Sequence, residues 1–102
     1  MDAGKRKRLK EAGWRTGSVA EFLELTPEDS ALIEIKLRLT ELAKKARARG
    51  HLSQVALAER IGSSQSRVAK LEAGDPSVSL ELLVRASLAS GATRKELARA
   101  IA

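Results

Sequence analysis

The sequence predicts an all-α fold, and three observations predict it. Of 102 residues 43% are apolar, yet the only aromatics are Trp14 and Phe22. A core must then be built from Leu, Ile, Val and Ala, the side chains of helix bundles, and no β-branched run suggests a sheet. Apolar residues also recur at spacings of three and four. Finally, Ser, Thr and Gly stand at the intervals where helices start and stop. The length suits one compact domain and is too short for two of ordinary size.

Taken in order, a short helix is expected over about residues 5–12 and is broken where Gly13 and Gly17 bracket Trp14. Ser18, with Glu21 three residues on, opens another short helix with Val19, Phe22 and Leu23 on one side. Thr26-Pro27-Glu28-Asp29 then marks a strong helix start, with Thr26 at the N-cap, Pro27 first inside, and acids facing the positive end of the dipole. The helix that follows runs to about Arg49, and Leu32, Ile35, Leu39, Leu42 and Ala46 form its core stripe. Ile33 and Leu37 lie off that stripe and are expected to pack against the Val19/Phe22 helix.

After Gly50 the pattern changes to short helices with tight joints. Ser53 caps a helix from Gln54 to about Ile61, stopped by Gly62. Ser63 or Ser64 caps the next, over about Gln65–Ala73, closed by Gly74. Asp75-Pro76-Ser77 forms a turn, Ser79 caps a helix over about Leu80–Ser90, and Gly91 ends it. Thr93 and Glu96 open a last helix running to the C-terminus.

The net charge is +6 with a pI near 10.2, which makes nucleic acid the leading partner class, against the plainer reading of a solvated basic surface. That charge is unevenly placed. Residues 1–17 carry +4, residues 18–35 carry −5, residues 36–49 carry +5, residues 50–75 are neutral and residues 76–102 carry +2. Lys5-Arg6-Lys7-Arg8 reads as a solvated terminus, while the block from Lys44 to Arg49 sits at a helix C-terminus, where the dipole explains part of it. With no Cys and one histidine, His51, disulfides, thiolate zinc sites and cysteine catalysis are excluded. No carboxylate pair, phosphate-cradling glycine loop or nucleophile constellation accompanies His51, so neither an enzyme nor a metal or cofactor site is expected. No apolar run approaches the ~20 residues of a membrane span, and a soluble, cytoplasmic protein is the expectation.

Residues 52–74 carry the functional argument. Small Ala58 lets two short helices cross closely, Gly62 makes the joint, and Leu57, Ile61, Val68 and Leu71 bury the inner faces. Gln65, Ser66, Arg67 and Lys70 are left pointing outward from the start of the second helix, where a DNA major groove would be read. The segment resembles the helix-turn-helix of the Xre family, the phage-repressor-like regulators. Leu52, Ser53, Gln54, Leu57, Ala58, Ile61, Gly62, Ser64, Val68, Leu71, Glu72 and Gly74 match that pattern at fixed spacing.

The resemblance implies a five-helix repressor-like bundle over residues 31–102, preceded by an N-terminal helical extension over residues 1–30 that could bind a partner. It implies that Gln54 buttresses Gln65, that Gln65 pairs with adenine, and that Ser64, Ser66, Arg67, Lys70, Ser77, Ser79 and Lys44 belong to the DNA-binding surface. It implies an ion pair between Arg47 and Glu72. It also implies a homodimer on palindromic half-sites about one helical turn apart, with Leu82, Leu88, Leu97 and Ile101 as candidate interface residues. The rival reading places Leu97 and Ile101 in the monomer core. Ser63 and Ser90 depart from the pattern, which usually has apolar residues there, and Ser63 is expected to loosen the joint.

Gly13–Glu28 and Gln65–Ser77 are further similar to small HigA-type antitoxins of that family. That similarity implies a repressor of its own operon that also neutralises a RelE/HigB-like ribonuclease toxin. Trp14, Val19 and Phe22 are then candidate toxin-binding residues, and the acidic stretch Glu21–Glu34 would face a basic toxin. Two alternatives stand beside it: a stand-alone phage-type regulator with no toxin partner, and a protein-binding module in which the helix-turn-helix is only scaffold.

Overall fold

The computed structural model of the chain describes residues 25–102. Among these are five helices and no strand: α1 (Pro27–Arg49), α2 (Gln54–Arg60), α3 (Gln65–Glu72), α4 (Leu80–Ala89) and α5 (Arg94–Ile101). The short helices expected before Thr26, the Ser18–Glu21 cap, and Trp14, Val19 and Phe22 lie outside the described residues. The chain divides into two units between Glu34 and Ile35.

In the described part of the first unit, the start of α1 is closed by a reciprocal cap. The Asp29 N–H donates to Thr26 Oγ1 at 3.1 Å, and the Thr26 N–H donates to Asp29 Oδ2 at 3.2 Å. Two orphan donors of the first turn are thereby satisfied. Leu32 corrects the sequence reading. It continues the core stripe by spacing but is 44% exposed.

In the second unit the core gathers Leu39 and Ala43 from α1, Leu57 and Ala58 from α2, Val68 and Leu71 from α3, Val78 from the following loop, Leu83 and Ala86 from α4, and Leu97 from α5. Ile35, Leu42, Ile61, Leu82 and Val84 are half-buried against it. Two buried hydroxyls are satisfied by their own helices: Thr40 donates to the Lys36 carbonyl and Ser87 to the Leu83 carbonyl, each at 2.8 Å. Ser90 Oγ is buried with no hydrogen-bond partner among the described residues. A position that the Xre pattern fills with an apolar residue here holds an unpaired polar atom.

Four helix ends close in the same way, with paired six-to-one and five-to-two hydrogen bonds. Leu52 N reaches Arg47 O at 3.1 Å, Ser63 N reaches Ala58 O at 2.8 Å, Asp75 N reaches Lys70 O at 3.1 Å and Ala92 N reaches Ser87 O at 2.9 Å. Ser63 supplies the N–H that closes the α2–α3 joint, as any residue but proline would there. At three of these ends the left-handed residue is glycine, but after α1 it is His51, at φ 56°. Gly50 stands one position earlier. A Cβ there would lie 3.4 Å from the carbonyl oxygens of both Ala46 and Ser90, where the end of α4 comes close.

The four candidate interface residues separate. Leu97 belongs to the core and Leu82 packs against it, so both are spent within one copy of the domain. Leu88 and Ile101 are exposed, at 45% and 49%. Helix α5 opens with the expected Thr93–Glu96 capping box. It is tied to α1 by a fork of hydrogen bonds from Arg49 to Glu96 at 3.1 and 3.2 Å. Among the described residues no helix is long and apolar enough to cross a membrane.

Candidate nucleic-acid interface

Helices α2 and α3 owe their length and angle to local chemistry. Ser53 Oγ accepts from the Ala56 N–H at 3.0 Å, and Ser64 Oγ accepts from the Arg67 N–H at 3.2 Å, so each helix begins on a side-chain cap. Between them the chain turns through Gly62. Leu57 and Val68 are fully buried in the joint, and Ala58, 3% exposed, is small enough to let the two helices approach. Burying Val68 and Leu71 turns Gln65, Ser66, Arg67 and Lys70 to the outside, and all four are exposed.

Behind Gln65 runs a hydrogen-bonded relay with a fixed direction. Gln65 Nε2 donates to Gln54 Oε1 at 2.7 Å, and Gln54 Nε2 donates to Glu72 Oε1 at 3.2 Å. Arg47 Nη2 donates to Glu72 Oε1 at 2.8 Å, Arg47 Nε donates to Glu72 Oε2, and Arg47 Nη1 donates to the Leu52 carbonyl at 2.8 Å. A guanidinium can only donate and an ionised carboxylate can only accept. Gln54 must therefore turn its amide nitrogen to Glu72 and its oxygen to Gln65. Gln65 must in turn donate inward, which leaves its carbonyl oxygen and one N–H for an outside partner. That acceptor and donor match the N6 and N7 edge of adenine in a major groove.

Burial pushes the Glu72 carboxyl up, but hydrogen bonds from Arg47 and Gln54 and the charges of Arg47 and Lys44 outweigh it and hold the group below its ordinary value. The carboxylate is thus a fixed anion at the base of the relay. Its side chain is 6% exposed, against 21% for Arg47.

Beside α3 lies a cleft of about 480 Å³, walled by Ser64, Ser66, Arg67 and Lys70 on one side and Ser77 and Ser79 on the other. In capping their helices Ser64 and Ser79 use a lone pair of the hydroxyl oxygen, so each keeps its O–H to donate. Ser77 differs. Its hydroxyl and its backbone N–H both donate to Asp75 Oδ1, at 2.7 and 2.8 Å. These bonds, the side-chain one foremost, hold the Asp75 carboxyl below its ordinary value. Both donors of Ser77 are thus engaged by Asp75. Lys44 is exposed on α1 and lines no part of the cleft.

Sequence reasoning missed Lys36, whose Nζ donates to the Pro76 carbonyl at 2.9 Å and pins the α3–α4 loop from α1. A forty-residue separation leaves no local signal for such a bond. The described residues hold no group of His, Cys, Asp and Glu that could ligate a metal ion.

Two short capped helices crossing over a glycine joint, with the second presenting polar and basic side chains, define a helix-turn-helix DNA-binding domain. A helix-turn-helix family model, HTH_3, matches residues 44–97, just over half of the chain. The chain belongs to this family of Xre/Cro/C1-type domains, which are typically non-enzymatic. No curated protein and no solved structure matches the chain.

Proposed function

We propose that the protein is a sequence-specific transcriptional repressor that reads its site with α3, Gln65 making the leading base contact and Ser66, Arg67 and Lys70 flanking it. The observation that carries this reading is the relay, which pre-orients Gln65 at no cost in order when DNA arrives. Ser64 and Ser79 serve the phosphate backbone from the cleft beside α3. Binding as a homodimer to two half-sites is the form expected of such a reader. With Leu82 and Leu97 taken up internally, Leu88 and Ile101 are the apolar residues available to a partner copy.

The test is selection of a preferred duplex from a randomised pool, followed by binding of Gln65→Ala to the selected and to scrambled DNA. We expect a loss of about 1–3 kcal/mol on the selected site and almost none on scrambled DNA. Equal losses on both would remove Gln65 from base recognition.

A finer reading makes the repressor an antitoxin. It is supported by the similarity of Gly13–Glu28 to HigA-type antitoxins and by the exposure of Leu32 and Ile33 at the head of α1. Here each small reading frame beside the gene would be induced alone in a bacterial host and then with this protein. Growth arrest by one neighbour, relieved on co-expression with co-purification of the pair, is the expected result. If no neighbour arrests growth, the protein acts as a stand-alone regulator.

A further inference from the structure

The cleft beside α3 does not end at Ser79. It shares Arg67, Ser79 and Leu82 with a second cleft of about 250 Å³, which continues past Gly62 and Ser63 of the α2–α3 turn to Arg85 on α4. Lys70 thus lines the first cleft, Arg67 lines both, and Arg85 lines the second. Neither Lys70 nor Arg67 has a carboxylate within ion-pair distance among the described residues, whereas Arg85 Nη2 is bonded to Glu81 Oε1, one turn earlier on α4, at 2.8 Å. That pair is exposed, with side chains 58% and 79% accessible, so it is held weakly, and another anion can take the place of Glu81 beside Arg85.

We propose that Arg85 binds a phosphodiester of the DNA that α3 reads, exchanging Glu81 for phosphate, so that the backbone path continues from the first cleft along α4. This rests on the DNA-reading function proposed above. Three features favour a phosphodiester over a small anion. The two clefts join along a shared wall, they are open to solvent, and their cations follow one another along it, Lys70, then Arg67, then Arg85. Phosphate competes well for a guanidinium because it offers two oxygens to the planar fork. Glu81 then acts as a placeholder. It keeps Arg85 partnered in the free protein and repels any anion that does not displace it.

The experiment measures binding of the full chain to a mixed-sequence linear duplex several helical turns long, across a range of salt. Arg85→Gln is expected to make the slope of log K against log salt shallower by about 0.9, the contribution of one phosphate, and to weaken binding roughly eightfold at 0.1 M salt. Glu81→Gln is expected to tighten binding about twofold at low salt, the worth of an exposed pair one turn apart on a helix. Arg99→Gln, which removes the same charge from α5 and from neither cleft, is expected to leave the slope unchanged. An Arg85→Gln slope equal to that of the unaltered chain overturns the proposal, as does an equal change in Arg99→Gln, and an unaltered affinity in Glu81→Gln overturns the placeholder role. If the unaltered chain binds no duplex at any salt, the DNA reading fails and the proposal falls with it. Binding without an Arg85 effect removes the proposal alone.

Discussion

Glu72→Ala is expected to destabilise the domain by about 2–4 kcal/mol in urea denaturation, because it takes the shared acceptor from the half-buried Arg47 and Gln54 and leaves Arg47 only its bond to the Leu52 carbonyl. The upper half of the range for a broken buried pair is tempered here, since Arg47 is partly open to water. The loss has a second consequence that stability alone does not report. Without Glu72, Gln54 is free to flip its amide, and Gln65 loses its fixed donor direction. Discrimination between selected and scrambled duplexes should therefore fall in the folded variant, at temperatures well below its melting point. Acid gives the matching test. The folded carboxyl sits below the ordinary value of 4.5, so its contribution is fully present above pH 4.5 and is lost as the pH falls through the lowered folded value. Glu72→Gln should abolish that part of the acid dependence while Arg47 stays charged throughout.

Leu57→Ala is expected to cost about 2–5 kcal/mol, the range for emptying a fully buried leucine site. Leu57 has no exposure at all, and it lies on the shortest of the described helices. A domain this small has a total stability at the lower end of the usual ~5–15 kcal/mol. The variant should therefore melt far below the parent by circular dichroism, or be unfolded at ambient temperature. Val55→Ala, two residues away and 54% exposed, is the control and should change stability by less than about 0.5 kcal/mol.

The helices were legible in the sequence because their ends are chemical. Thr26, Ser53, Ser79 and Thr93 are caps that need no tertiary context to be recognised, the sequence narrows the α3 cap to Ser63 or Ser64 and it is Ser64, and the described helices begin directly after these residues. The outward set on α3 was legible for a related reason: burying Val68 and Leu71 leaves Gln65, Ser66, Arg67 and Lys70 no other side. What periodicity could not resolve was α4, where Leu80, Leu82, Leu83, Val84 and Leu88 surround much of the helix. Only the packing distinguishes buried Leu83 from exposed Leu88. Leu32 misled because a stripe has no information about where its partner helices stop. The bonds from Ser77 to Asp75 were not read from the sequence, although only two residues separate them. The cleft at Arg85 was hidden because sequence spacing pairs Arg85 with Glu81 along one helix and is silent on what lies across from it.

The relay behind α3 separates two kinds of heritable change. Ser66, Arg67 and Lys70 are exposed and lie outside the core, so substitutions there should leave the melting temperature level and, under the proposed function, shift target preference in a lineage. Arg47, Gln54 and Glu72 constrain one another through donors and acceptors that must alternate, and no member can change alone without leaving a buried group unmatched. Among relatives these three positions should therefore be inherited as a set, varying together or not at all, while their exposed neighbours on α3 diverge freely.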